Sequence, residues 1–371
     1  MVAITANDKR DQNELIKLLS RMDVTQIRVA FEKVSQVRDD LRLSTKLEVI
    51  AQYNVKPEGT KTYWAIVVDA ETTGLDIHND EMIEAGLVAI EFDQEGIIYD
   101  VKPVYNGFEQ PTVVISEEIT GHTGITNEMV KGHHFDDVII TQSFEQADLI
   151  IAHNAGFDRP FFERRFPAAA NSHWGCSLRD IDWDEEGIET KKLGALLGHY
   201  GTFFEAHRAE IDVRACIHLL SQSLVSTGET ALVSLIDTIR MPSYHVFALK
   251  SSFESKDLLK ARGYHWNPGN DKHEKCWHKE IPEADLTEEV AFLRAEIYPD
   301  IRADVFKVEL VGSLNRYSSR GGDVVTLDSE SQKPPINSAE HDIERSEEFN
   351  QTQRSHASKP KTGLKKLVKK R

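Results

Sequence analysis

The order of apolar runs along the chain is the feature that most constrains its fold. Trp64–Val68 is a short, β-branched run that predicts a buried strand. Met82–Phe92 and Ile97–Val104 predict two more strands, joined by a turn at residues 93–96. One further buried strand is predicted at Leu149–Ala152. Short helical segments are predicted at Glu117–Thr120, Asn127–Lys131, Thr141–Gln146 and Phe157–Arg165, and two longer helices at Thr190–Leu197 and Ala206–Ser223. This order predicts an α/β layered domain over residues 61–228.

Three segments flank this domain. Residues 1–60 predict a helical segment, because apolar residues recur there at three- and four-residue spacing and Pro57-Glu58-Gly59 then supplies a turn. The segment would either pack on the next domain or serve as an arm that docks a partner. Residues 243–315 alternate strand and helix signals and predict a small α+β accessory domain. Residues 317–371 are poor in apolar residues and predict a disordered tail with a basic C-terminus.

Composition excludes several classes of protein. Hydrophobic residues make up 40% of the 371 residues, enough for a core, yet no stretch approaches the roughly 18 consecutive apolar residues of a membrane span. No apolar region follows a positive N-terminus, so no secretory signal is indicated. The three cysteines are odd in number and far apart, which indicates reduced thiols and a cytoplasmic location. The net charge of −17 argues against binding nucleic acid over the whole surface, although a local basic groove stays compatible with it.

Four carboxylates and a histidine lie in three short segments. Asp69 and Glu71 occur in Val-Val-Asp-Ala-Glu-Thr-Thr-Gly, Asp158 in Ala-His-Asn-Ala-Gly-Phe-Asp, and His207 and Asp212 in His-Arg-Ala-Glu-Ile-Asp. Because residues i and i+2 of an extended chain point to the same face, Asp69 and Glu71 can address one cation. Acidic side chains gathered from distant segments repel one another unless a cation is bound, and oxygen ligands suit Mg²⁺ or Mn²⁺. For Asp158, a helix N-cap without a metal role is the alternative.

Such a cluster can carry phosphoryl chemistry. Two cations about 3.5–4 Å apart can bind both the attacking and the leaving oxygen of a phosphodiester. Histidine side chains ordinarily titrate at a pKa of about 6.5, so a histidine near the start of a helix can accept a proton from the attacking water. No nucleophilic side chain is needed, and the cluster therefore predicts direct in-line hydrolysis.

The three segments, in this order, resemble the three exonuclease motifs of the DEDDh family. That family includes the epsilon proofreading subunit of bacterial DNA polymerase III, RNase T and oligoribonuclease. The stretch Gly121-His122-Thr123-Gly124-Ile125-Thr126 also resembles the short His-Gly-Ile segment between the family's first and second motifs. The resemblance covers about residues 63–225. Ala70 is a departure, since many members carry a bulkier residue there, and we expect it to affect packing rather than chemistry.

The resemblance implies a fold, a cofactor and a set of roles. The fold is ribonuclease-H-like, with a mixed five-stranded sheet flanked by helices, and the site holds two divalent cations, Mg²⁺ or Mn²⁺. The implied activity is 3′→5′ release of nucleoside monophosphates from a free 3′ end. The implied metal ligands are Asp69, Glu71, Asp158 and Asp212, the implied general base is His207, and the residues expected to help hold the terminal nucleotide are Thr72, Thr73, Asn154 and Phe157. Glu84 is expected to be structural or rim-exposed rather than a fifth ligand.

The motifs leave the substrate open. We favour single-stranded DNA or frayed and mispaired primer ends, with proofreading or repair beside a separate DNA polymerase, because a polymerase domain would not fit in this chain. An exoribonuclease of the RNase T or oligoribonuclease kind is the alternative, since the catalytic residues do not set the contact to the 2′-OH. A nucleic-acid or polymerase-binding adaptor without activity is the alternative of another class. The five filled catalytic positions count against it, and no membrane partner is expected.

Two flanking features add further candidates. Trp266 and Trp277 stand beside basic residues, so they either stack the bases of a single strand or fill the core of the small sheet. A zinc site from His265, His273, Cys276 and His278 is a weak alternative, because it has one cysteine and no CxxC spacing. The basic stretch Lys361–Arg371 would contact nucleic acid, increase solubility or form a short docking helix.

Overall fold

The computed structural model describes residues 2–5, 42–269, 274–299 and 305–325. The strands in this part of the chain are β1 (Val2–Thr5), β2 (Arg42–Lys46), β3 (Tyr63–Thr72), β4 (Met82–Phe92), β5 (Ile98–Phe108), β6 (Leu149–Ala152), β7 (Trp174–Cys176), β8 (Thr202–Phe203), β9 (Ser243–Leu249), β10 (His265–Asn267), β11 (Cys276–Pro282), β12 (Lys307–Val311) and β13 (Asp323–Val324). The α-helices are α1 (Glu117–Thr123), α2 (Asn127–Val130), α3 (Asp137–Gln146), α4 (Ala155–Arg165), α5 (Leu193–His199), α6 (Ala209–Leu220), α7 (Ala231–Arg240), α8 (Lys256–Ala261) and α9 (Leu286–Phe292). None of these helices is long and apolar enough to span a membrane.

The central sheet has five strands in the order β5-β4-β3-β6-β7. The pairs β5/β4 and β4/β3 are antiparallel, whereas β3/β6 and β6/β7 are parallel, so the sheet is mixed. This confirms the predicted α/β class with a mixed five-stranded sheet flanked by helices. The fifth strand, Trp174–Cys176, was not predicted, because three residues are too short to show a period.

Both faces of the sheet are buried, which explains the continuous apolar run in β3. Ala65 and Val67 face a core formed with α5, α6 and α7, whereas Trp64, Ile66 and Val68 face a second core formed with α3 and α4. Successive side chains of a strand point to opposite faces, so a strand covered on both sides needs apolar residues at every position. The strand also continues to Thr72 rather than ending at Asp69, so Asp69 and Glu71 lie within it.

Helix α7 belongs to the first of these cores, although it lies beyond the boundary predicted at residue 228. The apolar side chains that it buries there are Ala231, Leu232, Leu235, Ile236 and Ile239. Thr230 caps the helix by accepting a hydrogen bond from the N–H of Val233 at 3.2 Å. The packed exonuclease-like layers therefore extend to about residue 240.

Gly86 lets α6 lie directly against the sheet beside β3. It pairs with Asp69 across β3 and β4, and a Cβ atom at this position would stand 2.7 Å from the backbone carbon of Ala209. Any side chain larger than hydrogen would push the start of α6 away from the sheet. The glycine thus sets how closely the helix that carries Asp212 approaches the strand that carries Asp69.

The helical segment predicted for residues 1–60 is only partly open to comparison, since residues 6–41 lie outside the described part. For residues 42–60 the helical prediction is wrong. Arg42–Lys46 forms strand β2, which pairs antiparallel with β1 and parallel with β8. The chain then runs alongside β5, where the N–H of Tyr53 donates to the carbonyl of Tyr99 at 2.8 Å. Leu47 and Tyr53 pack against the first core.

Residues 243–325 form a second sheet in the order β10-β11-β9-β12-β13, with every pair antiparallel. Helices α8 and α9 pack on one face, around a core that includes Tyr244, Val246 and Ala248 of β9. The alternation of elements agrees with the predicted α+β character. Trp277 is buried in this core, as one of its two interpretations required, and the three cysteines, Cys176, Cys216 and Cys276, are buried free thiols.

The prediction of a disordered tail from residue 317 is wrong for residues 317–325. The hydroxyl of Tyr317 donates to Asp180 at 2.6 Å, and the guanidinium of Arg316 is buried against the same carboxylate. The described chain continues to Val325, and its strand β13 pairs with β12. Residues 326–371, which include the basic stretch Lys361–Arg371, lie outside the described residues.

A buried arginine joins the two sheets. Arg159 in α4 has no exposed surface, and its guanidinium donates to the backbone carbonyls of Ser313, Leu314 and Arg316 at 2.5–3.1 Å. The N–H of Trp174 in β7 also donates to the carbonyl of Ser313, at 3.0 Å. The segment after β12 therefore covers the β7 edge of the central sheet, which would otherwise present unpaired backbone groups.

Candidate active site

Three of the four predicted metal ligands converge at the end of β3. Asp69, Glu71 and Asp212 each offer a carboxylate oxygen, and these atoms all lie within 4.8 Å of one another. Asp69 and Glu71 share one side of β3, and Asp212 lies in the first turn of α6. Ligand oxygens around one Mg²⁺ or Ca²⁺ lie at 2.0–2.6 Å from the ion, so oxygens at this mutual separation can share a cation.

Asp158, the fourth predicted ligand, lies beside this group. It is 2% exposed, and its Oδ1 accepts a hydrogen bond at 3.1 Å from the N–H of Ala70, the residue between the two acids of β3. The N-cap of α4 is Asn154, so the alternative that Asp158 is the helix cap is wrong. The carboxylate of Asp158 therefore contacts the backbone of β3 and lies next to the other carboxylates.

The carboxylates perturb one another strongly. Burial raises the pKa of Asp69 well above its ordinary range, and the nearby charges of Asp158 and Asp212 raise it further. The pKa of Glu71 is raised to about 7, first by burial and then by Asp212 and Glu84. Burial also raises the pKa of Asp158 and that of Asp212, against the backbone N–H groups that donate to them. A site that resists holding its own negative charge gains most from a bound cation.

The chemistry of the donors fits a hard divalent cation. The cluster consists of carboxylate oxygens, with no thiolate or imidazole among the three grouped ligands. Oxygen-only sites suit Mg²⁺ and Mn²⁺ rather than zinc or copper. Asp69, Glu71 and Asp212 would hold the ion, with Asp158 placed to complete the set.

The backbone around His207 is fixed by Asp212. The N–H groups of His207 and Arg208 donate to Oδ2 of Asp212 at 2.8 and 3.0 Å. His207 has a φ of 72°, which is uncommon for a residue with a side chain and which this pair of hydrogen bonds supports. The imidazole itself is exposed at the rim. A side chain there can reach solvent and the carboxylates from the same loop.

An ion pair beneath this loop was missed in the sequence. Glu84 has no exposed surface and stands opposite Glu71 in the β3/β4 register. Its carboxylate accepts bidentate hydrogen bonds from Arg208, at 2.9 Å from Nη2 and 3.2 Å from Nε, and a third from the N–H of Ala209 at 3.2 Å. The alternative that Glu84 is rim-exposed is wrong, and its pairing with Arg208 fits the structural role that was also predicted. An acid inside a strand that is buried at every position was the available signal.

The residues predicted to hold the terminal nucleotide border the cluster. Thr72 and Thr73 follow the acids of β3, and their hydroxyls donate to the carbonyl of Gly74 at 2.5 Å and to Asp80 at 3.0 Å. Asn154 begins α4 with a φ of 72°, and Phe157 lies half-buried in its first turn, 5.1 Å from the ring of Phe161. Contact between these four side chains and a nucleotide stays a prediction.

The zinc alternative finds no support in the described residues. The one group of His, Cys, Asp and Glu side chains with metal-ligand spacing in that part of the chain is the carboxylate cluster. Nε2 of His245 lies 2.7 Å from Nδ1 of His278. His273 lies outside the described residues.

Comparison with known proteins places the cluster in a recognised domain. Residues 66–220 match the family model described as Exonuclease, RNase_T. The PolC-type DNA polymerase III of Clostridium perfringens is 29% identical over 218 residues, which are 53% of this chain and 14% of that protein. The DNA polymerase III subunit epsilon of Treponema pallidum is 29% identical over 162 residues, 41% of this chain and 73% of that protein.

A solved structure was also matched. Exonuclease X in complex with 5′ overhanging duplex DNA aligns with 47% of this chain and 99% of its own, at 22% identity and a TM-score of 0.36. This chain thus spans only a small part of the PolC-type polymerases, and most of the length of the epsilon subunit. The family model and the two polymerase III relatives confirm the predicted resemblance to exonucleases over the segment that holds all three motifs.

Proposed function

We propose that the chain is a metal-dependent 3′→5′ exonuclease, a proposal supported by the match of residues 66–220 to the exonuclease family model. It would release nucleoside monophosphates from single-stranded DNA or from frayed and mispaired primer ends. The observation that carries the proposal is the approach of Asp69, Glu71 and Asp212 to within 4.8 Å of one another, with His207 on the loop that Asp212 fixes. All five positions of the family's motifs are filled, which favours an enzyme over an inactive adaptor.

Each side chain has a distinct task in the proposed step. Two divalent cations, when bound, supply positive charge to the attacking and leaving oxygens of an in-line displacement. Asp69, Glu71, Asp158 and Asp212 hold those ions and set where the scissile phosphate lies. His207 accepts the proton of the attacking water from its place at the rim. The Glu84–Arg208 pair fixes the position of the backbone next to His207, which limits where the imidazole can lie.

The names of the relatives support a DNA substrate and a polymerase partner. Both relatives quoted above are named as DNA polymerase III proteins, one of them as the epsilon subunit. We therefore propose that any proofreading by this chain acts on the primer of a separate polymerase. A cytoplasmic location fits that partner.

One assay separates the candidate functions. A 5′-labelled single-stranded DNA should be shortened stepwise in Mg²⁺ or Mn²⁺, and EDTA should stop the reaction. A 3′-blocked strand should resist, and equal degradation of blocked and free strands would refute the 3′→5′ direction. Matched RNA strands test the sugar, and faster loss of RNA would favour the exoribonuclease alternative. Binding of either strand without any cleavage would favour the adaptor.

A matched pair of variants tests the metal site. Asp69→Asn should abolish cleavage while the chain still folds, because it removes a charged ligand from the centre of the cluster. Glu210→Gln is the control, since Glu210 lies on the same helix as Asp212 but pairs with Arg214 at 2.7 Å. Wild-type rates in Asp69→Asn would remove Asp69 from the metal site.

A further inference from the structure

Two large aromatic side chains are exposed in the accessory domain, which the proposed chemistry does not use. Phe253, just before α8, is 76% exposed, and Trp266 in the edge strand β10 is 51% exposed. The core of this domain does not depend on either of them, because Trp277, Leu259 and Tyr264 already fill it nearby. Singly exposed apolar residues are ordinary, so their neighbours decide what these two can do.

Two lysines lie between the aromatic rings. Nζ of Lys256 is 4.2 Å from the ring centroid of Phe253. Lys260 lies one helical turn further along the same face of α8, and its Nζ is 5.8 Å from the ring centroid of Trp277. The ring of Trp277 meets that of Trp266 at 5.5 Å with an angle of 61°. The ring of Trp277 thus links Lys260 to Trp266, and we call Phe253, Lys256, Lys260 and Trp266 the aromatic–lysine strip.

The charges of the two lysines are available to a ligand. Neither Lys256 nor Lys260 forms an ion pair with any residue in the part of the chain that the structure describes. Neighbouring cations differ, since Arg262 is bound by Glu288 and Glu289 at 2.8 and 3.1 Å. Glu254 and Asp257 are the acids closest in sequence to the strip, and both are exposed. Asp257 is turned about 100° from Lys256 around the helix axis.

We propose that the aromatic–lysine strip binds single-stranded DNA. Exposed rings can stack on bases of any sequence, and lysines between them can meet the phosphates, which is the usual composition of sites that bind single strands. A ring at each end with two cations between them lets bases stack on the rings while phosphates meet the lysines, and it leaves no broad apolar patch for a protein partner. The inference rests on the proposed function only for the orientation of the bound strand. The strip would hold the part of the strand upstream of the 3′ end that lies in the active site.

The placement of the strip predicts a dependence on strand length. Ser243, at the start of β9, lies against Arg316 of the segment that joins the two sheets, with Oγ 3.3 Å from Nη2. Trp277 pairs with Ala248, five residues further along β9, which is about 17 Å at the rise of a strand. The strip thus lies at the end of the sheet remote from this contact. A very short strand in the active site would not reach it.

Binding by the full chain tests the inference. In the Asp69→Asn background, which should prevent cleavage, fluorescence anisotropy would give the Kd for a labelled single strand of about 20 nucleotides and for one of about 3 nucleotides. Trp266→Ala should raise the Kd of the long strand about tenfold and leave that of the short strand unchanged. Trp266→Phe should restore most of the affinity. Lys260→Glu should weaken binding of the long strand and lower its salt dependence, by about 0.7 in log–log slope for each phosphate that is no longer neutralised, whereas Lys260→Arg should not.

The controls keep the outcomes distinct. Lys131→Ala removes an exposed lysine far along the chain from the strip and should leave the Kd unchanged. If Trp266→Ala does not fold, the exposed Lys260→Glu variant still tests the strip. Unchanged affinity in both variants, or an equal loss for long and short strands or for duplex DNA, would overturn the inference. Failure of the wild-type chain to degrade DNA, with strand binding still weakened in the variants, would refute the proposed nuclease and leave the strip standing.

Discussion

Replacing Glu71 by Gln should stabilise the fold at alkaline pH in the absence of divalent cations. Glu71 lies in the carboxylate cluster, where burial and the charges of Asp212 and Glu84 raise its pKa from 4.5 to about 7. A folded pKa above the unfolded one means that stability is fully present below about pH 4.5 and is lost as pH rises through about 7. Gln at this position carries no charge, so the variant avoids that loss.

The size of the effect follows from the shift. A difference between 4.5 and about 7 corresponds to about 3 kcal/mol of unfolding free energy once the pH exceeds both values. Glu71→Gln should therefore be more stable than the wild type by about 3 kcal/mol near pH 8 and by much less near pH 5. Mg²⁺ should nearly cancel this difference at 100 times its Kd and reverse the order at 1,000 times, because a ligand that binds only the folded state adds about 2.7 and about 4.1 kcal/mol at those concentrations.

Urea unfolding in EDTA between about pH 5 and pH 8 measures this difference. The wild type and Glu71→Gln must be compared at each pH, because buried His153 contributes to stability with the opposite pH dependence. Burial lowers the pKa of His153 to about 4, so its contribution is present above its ordinary pKa and is lost as pH falls through 4. Subtracting the two curves cancels that contribution. A variant no more stable than the wild type at pH 8 in EDTA would refute the electrostatic account of the cluster.

Variants of three further residues, His207, Arg208 and Arg159, test the surroundings of the site. His207→Ala should lower kcat by about 10²–10⁴ with little change in strand binding, as loss of a general base does, and steady-state kinetics beside anisotropy would show it. Arg208→Gln should lower the melting temperature in EDTA, since Glu84 would stay buried without its partner. Arg208→Lys should recover only part of the lost melting temperature, because an ammonium group cannot form the bidentate pair. Arg159→Met should cost about 3–5 kcal/mol in urea unfolding, because the carbonyl of Arg316 loses its donor while Ser313, Leu314 and Glu163 each lose one of theirs. Arg240→Met, which breaks only an exposed pair with Asp237, should change stability by less than about 1 kcal/mol.

The strands that carry the site could be predicted because the signals for them lie within a few consecutive residues. The apolar run of β3 and the two-residue spacing of Asp69 and Glu71 are visible without any knowledge of the fold. Helix α7 could have been predicted in the same way, since Leu232, Leu235 and Ile239 recur at helical spacing. β7 could not, because a three-residue strand is specified by its neighbours: it pairs with β6 and is covered by Ser313.

The contacts between distant residues needed the structure. The partner of Glu84 is Arg208, 124 residues later, and only the β3/β4 register and the approach of α6 at Gly86 bring them together. Arg159 stands next to the predicted ligand Asp158 in sequence, yet its role is set by carbonyls more than 150 residues away. Motif spacing carries no information about either pair, since both depend on how the layers pack.

The acids of the site divide into those that the protein satisfies and those that it leaves to a cation. Glu84 has Arg208, Asp158 has the N–H of Ala70, and Asp212 has the N–H groups of His207 and Arg208. Within the described part of the chain, the side-chain carboxylates of Asp69 and Glu71 accept no hydrogen bond and form no ion pair. Buried charges without partners are costly, so these two carboxylates gain most when a cation binds. We therefore expect a bound cation to stabilise the Asp-x-Glu of β3 most, whereas Asp158 and Asp212 also fix the backbone beside it.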